Sequence, residues 1–294
     1  MDTGLSPHSC VLQNRVLVVI PVLNGESEIT RTLESVAALG SRENIHLHIQ
    51  DGGSSDATVS ICREFLHSLP ISSSLCTEAD TGMYDAIDRA IRYFDVPREQ
   101  WLTWINAGDT LDPNALKVLE TISNSSYRSQ IDWVTGAIDA KLFDSVRLRK
   151  DIPTPLALIR AGLADDDTLP FLQQEGTFLR YRLYCRVRRE KFIAHRAAGD
   201  YFLWVDLAHH ARGLAYARHP LATWHQCEGQ LSARLRDVYS DEMERCRPVV
   251  IRRELRESLL GLKHDLFVVG DGRVERQQFT LTQSSEGFQM TNMA

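Results

Sequence analysis

Val16, Leu17, Val18, Val19 and Ile20 form an unbroken apolar run, mostly β-branched, that meets Pro21. Alternation is lost when neither face of a strand meets water, so the run reads as a strand of a parallel sheet covered on both sides and ended by the proline. After Asn24 and Gly25 the period changes: Ile29, Leu33, Val36 and Ala37 recur at helical spacing within 26–39, and Gly40 stops them. A second unit follows, in which Ile45, Leu47 and Ile49 alternate with polar residues, run into Asp51, Gly52, Gly53, Ser54, Ser55 and Asp56, and give way to a helical pattern over 57–66. Residues 73–77 predict a weaker strand, 83–94 a helix and 100–106 an aromatic and aliphatic strand. Strand and helix in alternation predict a right-handed, mostly parallel α/β sheet with helices on both faces.

From about residue 123 the rhythm degrades. Residues 131–137 predict one more strand, 151–170 a helix followed by an acidic loop, and 201–211 a helix. Leu255, Leu259 and Leu262 share one side of a predicted final helix over 249–262, and the polar stretch after Asp271 shows no pattern, so its end is expected to lack regular structure. The expected organisation is a loose leader over 1–14, one domain over 15–240 divided at 122/123, and a C-terminal helix and tail over 241–294.

The chain has 294 residues, and 33 Lys and Arg against 39 Asp and Glu leave a formal charge of −6, which argues against a nucleic-acid partner. The six cysteines form no CxxC pair and no zinc-like spacing, which fits reduced thiols and a cytoplasmic protein. No stretch approaches the roughly 18 consecutive apolar residues of a membrane span, and the first fifteen residues lack a basic start before an apolar core.

Ligands of open parallel sheets bind beyond the carboxyl ends of the strands, and three predicted ends carry Asn24, Asp51 and Asp109. Neither GxGxxG nor GxxxxGK[ST] is present, so the phosphates of a nucleotide would need another counter-charge. A divalent cation on a strand-end carboxylate would supply it, and Asp109 is the best placed.

Four segments in order carry a resemblance: 18–24 ending in Pro21, Val22, Leu23 and Asn24; 51–56; 78–86 with Asp80, Gly82 and Asp85; and 104–109 ending in Asn106, Ala107, Gly108 and Asp109. With Gln173, Gln174, Glu175, Gly199, Asp200, Trp224, His225 and the stretch 229–232, the chain over roughly 15–235 resembles the family 2 glycosyltransferases of GT-A fold, of the bacterial polysaccharide and lipid-linked glycan type.

That resemblance implies a nucleotide-sugar half over 15–122 and an acceptor half over 123–240. Pro21 and Asn24 would shape the nucleotide pocket, and Asp51 would accept from the base, typically uracil, a task suited to an acceptor-only carboxylate. Asp80, Gly82 and Asp85 would face the donor. Asp109 would bind manganese or magnesium, with His225 as a second ligand, and Asp200 would be the base of an inverting transfer. Each has a plainer alternative: a turn for Asp51, helix capping for Asp80, Asp109 and Asp200, an ordinary half-buried imidazole for His225. Asp165, Asp166 and Asp167 are a rival metal site on composition but follow no predicted strand, and read as a solvated acidic loop.

The basic run Arg180, Arg182, Arg186, Arg188, Arg189 and Lys191 reads as a solvated helix face, or as a contact for a lipid-linked anionic acceptor or the inner membrane surface. The implied activity is metal-dependent transfer from a nucleotide sugar, a UDP-hexose or UDP-N-acetylhexosamine, to a hydroxyl of a glycan or lipid-linked acceptor. The rival from another class is a catalytically silent relative that binds a sugar nucleotide or glycan or serves as a scaffold. A nucleotidyltransferase is disfavoured by the missing Lys-bearing phosphate loop.

Overall fold

The first apolar run is β1 (Val16–Val22), whose Leu17 and Val19 enter one hydrophobic core and Val18 and Ile20 another, one on each face of the sheet. All four are fully buried, which is why the run shows no alternation. The computed structural model describes residues 16–40, 44–69, 71–142, 145–148, 153–227, 234–246, 257–285 and 287–292.

The first half follows the predicted order: β1, α1 (Ile29–Ala37), β2 (Ile45–Asp51), α2 (Thr58–Ser68), β3 (Ser72–Thr77), α3 (Met83–Tyr93), β4 (Trp101–Trp104), β5 (Thr110–Leu111) and α4 (Asn114–Asn124). β1 pairs in parallel with β2 and β4, and β2 with β3. Pro21 does not end β1 but sits inside it, opposite Gln50 of β2. β4 accompanies β1 only from Leu17 to Val19, so Pro21 lies beyond the neighbour on that side and its missing N–H interrupts no second ladder.

The second half comprises β6 (Trp133–Leu142), β7 (Ser145–Leu148), α5 (Leu156–Arg160), β8 (Phe178–Arg180), α6 (Tyr181–Tyr184), α7 (Arg189–Ile193), α8 (Gly199–Ala208), β9 (Leu214–His225) and α9 (Arg236–Cys246). β8 pairs antiparallel with both β4 and β6 and joins the halves into one sheet, while β6 and β9 run parallel. Trp104, Trp133 and Trp204 of β4, β6 and α8 pack together beneath this junction, with ring centroids 5.8 and 5.3 Å from Trp204.

The C-terminal expectation needs correction. Its helical part is α9, and 257–259 add one short turn, while the leader and 249–256 lie outside the described residues. The tail is β10 (Lys263–Gly270), β11 (Arg273–Ser284) and β12 (Gly287–Asn292), which extend the sheet to the order β12-β11-β10-β9-β6-β8-β4-β1-β2-β3. Asp271 and Gly272, both at positive φ (50° and 73°), close a tight hairpin, and Leu266, Phe267, Val268 and Val269 bury against both faces. The Asp-Gly pair was the signal for this hairpin.

Behind the strand ends, β2 carries buried His46 and His48. His48 Nδ1 lies 2.8 Å from Ser74 Oγ, its ring stacks on Tyr93, and burial lowers its pKa to about 4 against the opposing hydrogen bond to Gln50. The folded state therefore holds fewer protons than the unfolded chain between about pH 6.5 and 4, and stability falls as the pH drops through that window. His48→Gln should flatten the pH dependence of the urea midpoint there, removing about 3 kcal/mol of acid destabilisation. An unchanged slope would show that His48 does not titrate as its burial requires.

Candidate active site

Because β1 to β4 are parallel, Asn24, Asp51, Asp80 and Asp109 come to the same edge of the sheet. Asn24 adopts the left-handed region (φ 52°); its N–H donates to Ser54 Oγ at 2.8 Å and its Oδ1 accepts the Ser55 N–H at 2.9 Å, which ties the first loop to the second. Asp51 is fully buried, and its carboxylate accepts the N–H groups of Gly53 and Ser54, both at 3.1 Å.

Gly52 lets the third loop approach, since a Cβ there would stand 2.6 Å from Asp80 Oδ2. Asp80 in turn accepts the N–H of Gly82 (φ 143°) at 2.9 Å, and burial, with Asp85 and Asp51 nearby, raises its pKa. Asp85 accepts from the Thr81 N–H and Oγ1, each at 3.0 Å, and pairs with Arg89 at 2.9 Å; despite burial, these bonds hold its carboxyl below the usual range. Asp80 and Asp85 therefore frame the loop itself.

Asp109 is 4% exposed. Thr32 of α1 clamps its backbone: the Gly108 N–H donates to Thr32 Oγ1 at 2.8 Å, and that hydroxyl donates to the Asp109 carbonyl at 2.7 Å. Arg31 Nη1 donates to the Gly108 carbonyl at 3.1 Å, placing a guanidinium beside the acid. β5 pairs with β9, Thr110 against Thr223, and so carries His225 to the site, where its backbone N–H donates to Asp109 Oδ1 at 2.8 Å. Burial, then the charge of Glu175, pushes the Asp109 carboxyl well above its ordinary value. Burial, Arg31 and Lys141 lower the His225 imidazole to about 4, so it is neutral near pH 7.

Asp200, in the first turn of α8, lines a cavity of about 60 Å³ with Tyr84, Trp104, Asn106 and Glu175. Gly199 lies flat on the Tyr84 ring, where a Cβ would stand 2.6 Å from the nearest ring carbon, so only glycine permits this approach of α8 to α3. Burial raises the Asp200 pKa to about 7 against the Tyr201 N–H, and Glu175 adds to the rise. Glu175 reaches the cavity because Gln174 donates to the Trp104 carbonyl and Asn106 Nδ2 donates to Gln174 Oε1 at 3.3 Å. Its segment was visible in the sequence, but its influence on both Asp109 and Asp200 was not; nor were the clamps from Thr32 and Arg31.

The arginine run is not one solvated face. Arg180 is buried and lies 3.8 Å over the Trp101 ring, Arg182 pairs with Asp132 and Glu99, and Arg188 pairs with Asp206 at 2.6 Å. Arg189 joins Arg92 and the Tyr184 hydroxyl on fully buried Asp88. Arg182, Arg188 and Arg189 thus bind acids of the fold, while Arg186 and Lys191 are exposed. The acidic loop is partly internal: Asp165 is buried and accepts the Thr168 N–H at 2.8 Å, and Asp166 accepts the Phe171 N–H at 2.7 Å. The stretch 229–232 lies outside the described residues. Among the described residues, no helix is long and apolar enough to cross a membrane.

A parallel four-strand half with acids at the strand ends, joined through β8 to a half that carries Asp200, is the GT-A glycosyltransferase architecture. It is similar to S. aureus TarS 1-349 in complex with UDP-GlcNAc (TM-score 0.60, 13% identity, 82% of this chain and 69% of that one). It is also similar to mannosyltransferase PcManGT from Pyrobaculum calidifontis in complex with GDP-Man and Mn2+ (TM-score 0.55, 14% identity, 83% and 68%). The pattern of glycosyl transferase family 2 matches residues 17–180, and the chain belongs to that family. Curated relatives include PGL/p-HBAD biosynthesis glycosyltransferases of Mycobacterium bovis and Mycobacterium tuberculosis, 31% identical over 94 residues. That match spans 32% of this chain and 35% of the relatives' length.

Proposed function

We propose that the protein transfers a sugar from a nucleotide-sugar donor, a UDP-hexose or UDP-N-acetylhexosamine, to a hydroxyl of a glycan or lipid-linked acceptor, with inversion. The observation that carries this reading is Asp200, a carboxyl with a pKa of about 7 on a cavity flanked by the end of β4. At neutral pH about half of such groups are ionised and can take a proton. In the proposed step Asp200 accepts the proton of the acceptor hydroxyl while that oxygen attacks the anomeric carbon. The bond to the nucleotide diphosphate breaks on the opposite face, and its electron pair leaves with the diphosphate.

The residues at the end of β4 fit a divalent cation held jointly with the donor. The charged form of Asp109 is disfavoured by burial and by Glu175, and a cation would restore it. The neutral imidazole of His225 is in ligating form. Among the described residues no group of three or more His, Cys, Asp or Glu could hold a metal, so phosphate oxygens and water would complete the shell, as manganese and magnesium accept. Bound there, the cation would offset charge on the departing diphosphate.

Asn24 and Asp51 would bound the nucleotide pocket, beyond Pro21, and the loop framed by Asp80, Gly82 and Asp85 would close its side. The proposed setting is cytoplasmic: Cys62, Cys76, Cys185, Cys227 and Cys246 carry no disulfide. In the basic run Arg182, Arg188 and Arg189 pair with acids of the fold, which leaves the exposed Arg186 and Lys191 for a proposed peripheral contact with a membrane surface.

The test is a thermal-shift and hydrolysis panel of UDP-glucose, UDP-N-acetylglucosamine and GDP-mannose with Mn2+, Mg2+ or EDTA. One UDP-sugar should raise Tm only with metal and release UDP slowly. No metal-dependent response to any donor would favour the silent sugar-nucleotide-binding or scaffold reading.

A further inference from the structure

The turn before Asp200 is held by an acid from outside the matched family region. Glu242, on α9, is buried, and its carboxylate accepts three consecutive backbone N–H groups: Arg196 at 2.8 Å on Oε1, and Ala197 at 2.9 Å and Ala198 at 2.8 Å on Oε2. These donors lead into α8, whose N-cap residue, Ala198, has no side chain that could cap it. An anion from another helix thus occupies the electropositive start of the helix that carries Asp200.

The same turn is gripped from the donor side. The Tyr84 hydroxyl donates to the Ala197 carbonyl at 2.9 Å and reaches Asp200 Oδ1 at 3.5 Å, while the Tyr201 N–H donates to Asp200 Oδ1 at 2.9 Å. Burial of α9 against α8 would need only apolar groups, which Met243 and Tyr239 supply. Three charge-assisted bonds to successive amides do something else: they fix where Asp200 leaves the chain.

We propose that Glu242 is a positioning residue for the Asp200 carboxyl, through which the C-terminal segment holds the general base of the transfer in register with the cavity. This rests on the reading of Asp200 as that base. Tyr84 of α3 and Glu175 before β8 are the titratable groups facing Asp200, and Tyr84, His195 and Cys246 face Glu242. Glu242 is not among the residues that line the cavity, and its hydrogen bonds go to the turn before Asp200.

The test compares wild type with Glu242→Ala, Glu242→Gln and Asp200→Asn, assayed as UDP release from the donor selected by the panel, well below each Tm. Glu242→Ala should lower kcat roughly tenfold to a hundredfold with the donor KM within about twofold, because a small misplacement of a reacting group acts on the chemical step. The acidic limb of its pH-rate profile should move below the wild-type position near pH 7, since a loosened turn hydrates Asp200. Glu242→Gln keeps one acceptor oxygen and should recover part of kcat.

A readout independent of turnover is the stabilisation that Asp200→Asn produces at pH 8, which should shrink in the Glu242→Gln background. A lower Tm with unchanged kcat, unchanged pH profile and undiminished Asp200→Asn stabilisation would reduce Glu242 to a structural cap and overturn the proposal. If Asp200→Asn itself keeps full turnover, the base assignment has failed instead, and the two failures are told apart.

Discussion

Asp200→Asn is expected to lower kcat by about 10² to 10⁴, the range that a positioned general base contributes, with little change in the donor KM. The same substitution should make the protein more stable at pH 8. The sign follows from proton linkage: the carboxyl has a pKa of about 7 in the folded protein against an ordinary value of 3.8, so the folded state binds the proton more tightly. The stability associated with that proton is fully present below pH 3.8, declines as the pH rises, and is gone above about pH 7. Asparagine carries no charge at any of these values. The variant should therefore gain up to about 4 kcal/mol relative to wild type at pH 8, and nothing at pH 3.5. Urea midpoints at the two pH values, taken beside the turnover assay, measure both effects. Loss of activity with gain of stability is the signature of a group held in an unfavourable state for function. Full turnover in the variant would remove Asp200 from the mechanism.

Asp109→Asn should uncouple donor binding from metal. The amide oxygen can still accept the His225 N–H, so the loop should keep its shape, and the apo protein should be no less stable because a disfavoured buried charge has gone. Mn2+ should then no longer enhance the thermal shift produced by the donor, and kcat/KM should fall roughly a hundredfold or more, as loss of several kcal/mol of leaving-group stabilisation requires. A metal-dependent shift equal to wild type would place the cation elsewhere. Because Asp109 and Asp200 stand on different elements, the two substitutions separate donor binding from proton removal.

Much of the N-terminal half, from β1 to α4, was legible in the sequence. The run at β1, the alternation at β2 and the helical periods of α1 to α3 are local signals, each set by which side chains a neighbouring layer must cover. Misreadings began where a local signal had two tertiary outcomes. Pro21 looked like a strand end, but β4 stops at the level of Val19 and leaves room for it inside β1. The residues after Asp271 looked unpatterned because β11 and β12 carry polar faces to solvent. Arg180 and Arg182 looked like part of a solvated face, because a sequence gives the number of charges and not the groups that bury them.

The sequence by itself determined the alternating α/β order, the placement of Asn24, Asp51 and Asp109 after parallel strands, and the order of motifs that carries the family. Tertiary structure alone decided which distant groups meet. The His225 N–H reaches Asp109 through the pairing of β5 with β9, the charge of Glu175 acts on both Asp109 and Asp200, and Glu242 grips the turn before α8. The physical reason is one of range. Hydrophobic periodicity is written along a few turns of chain, whereas the hydrogen bonds of a site join residues far apart in sequence, 30 positions for Asn24 and Ser54, 44 for Glu242 and Ala198, and 116 for His225 and Asp109, whose approach is set by sheet order and helix packing.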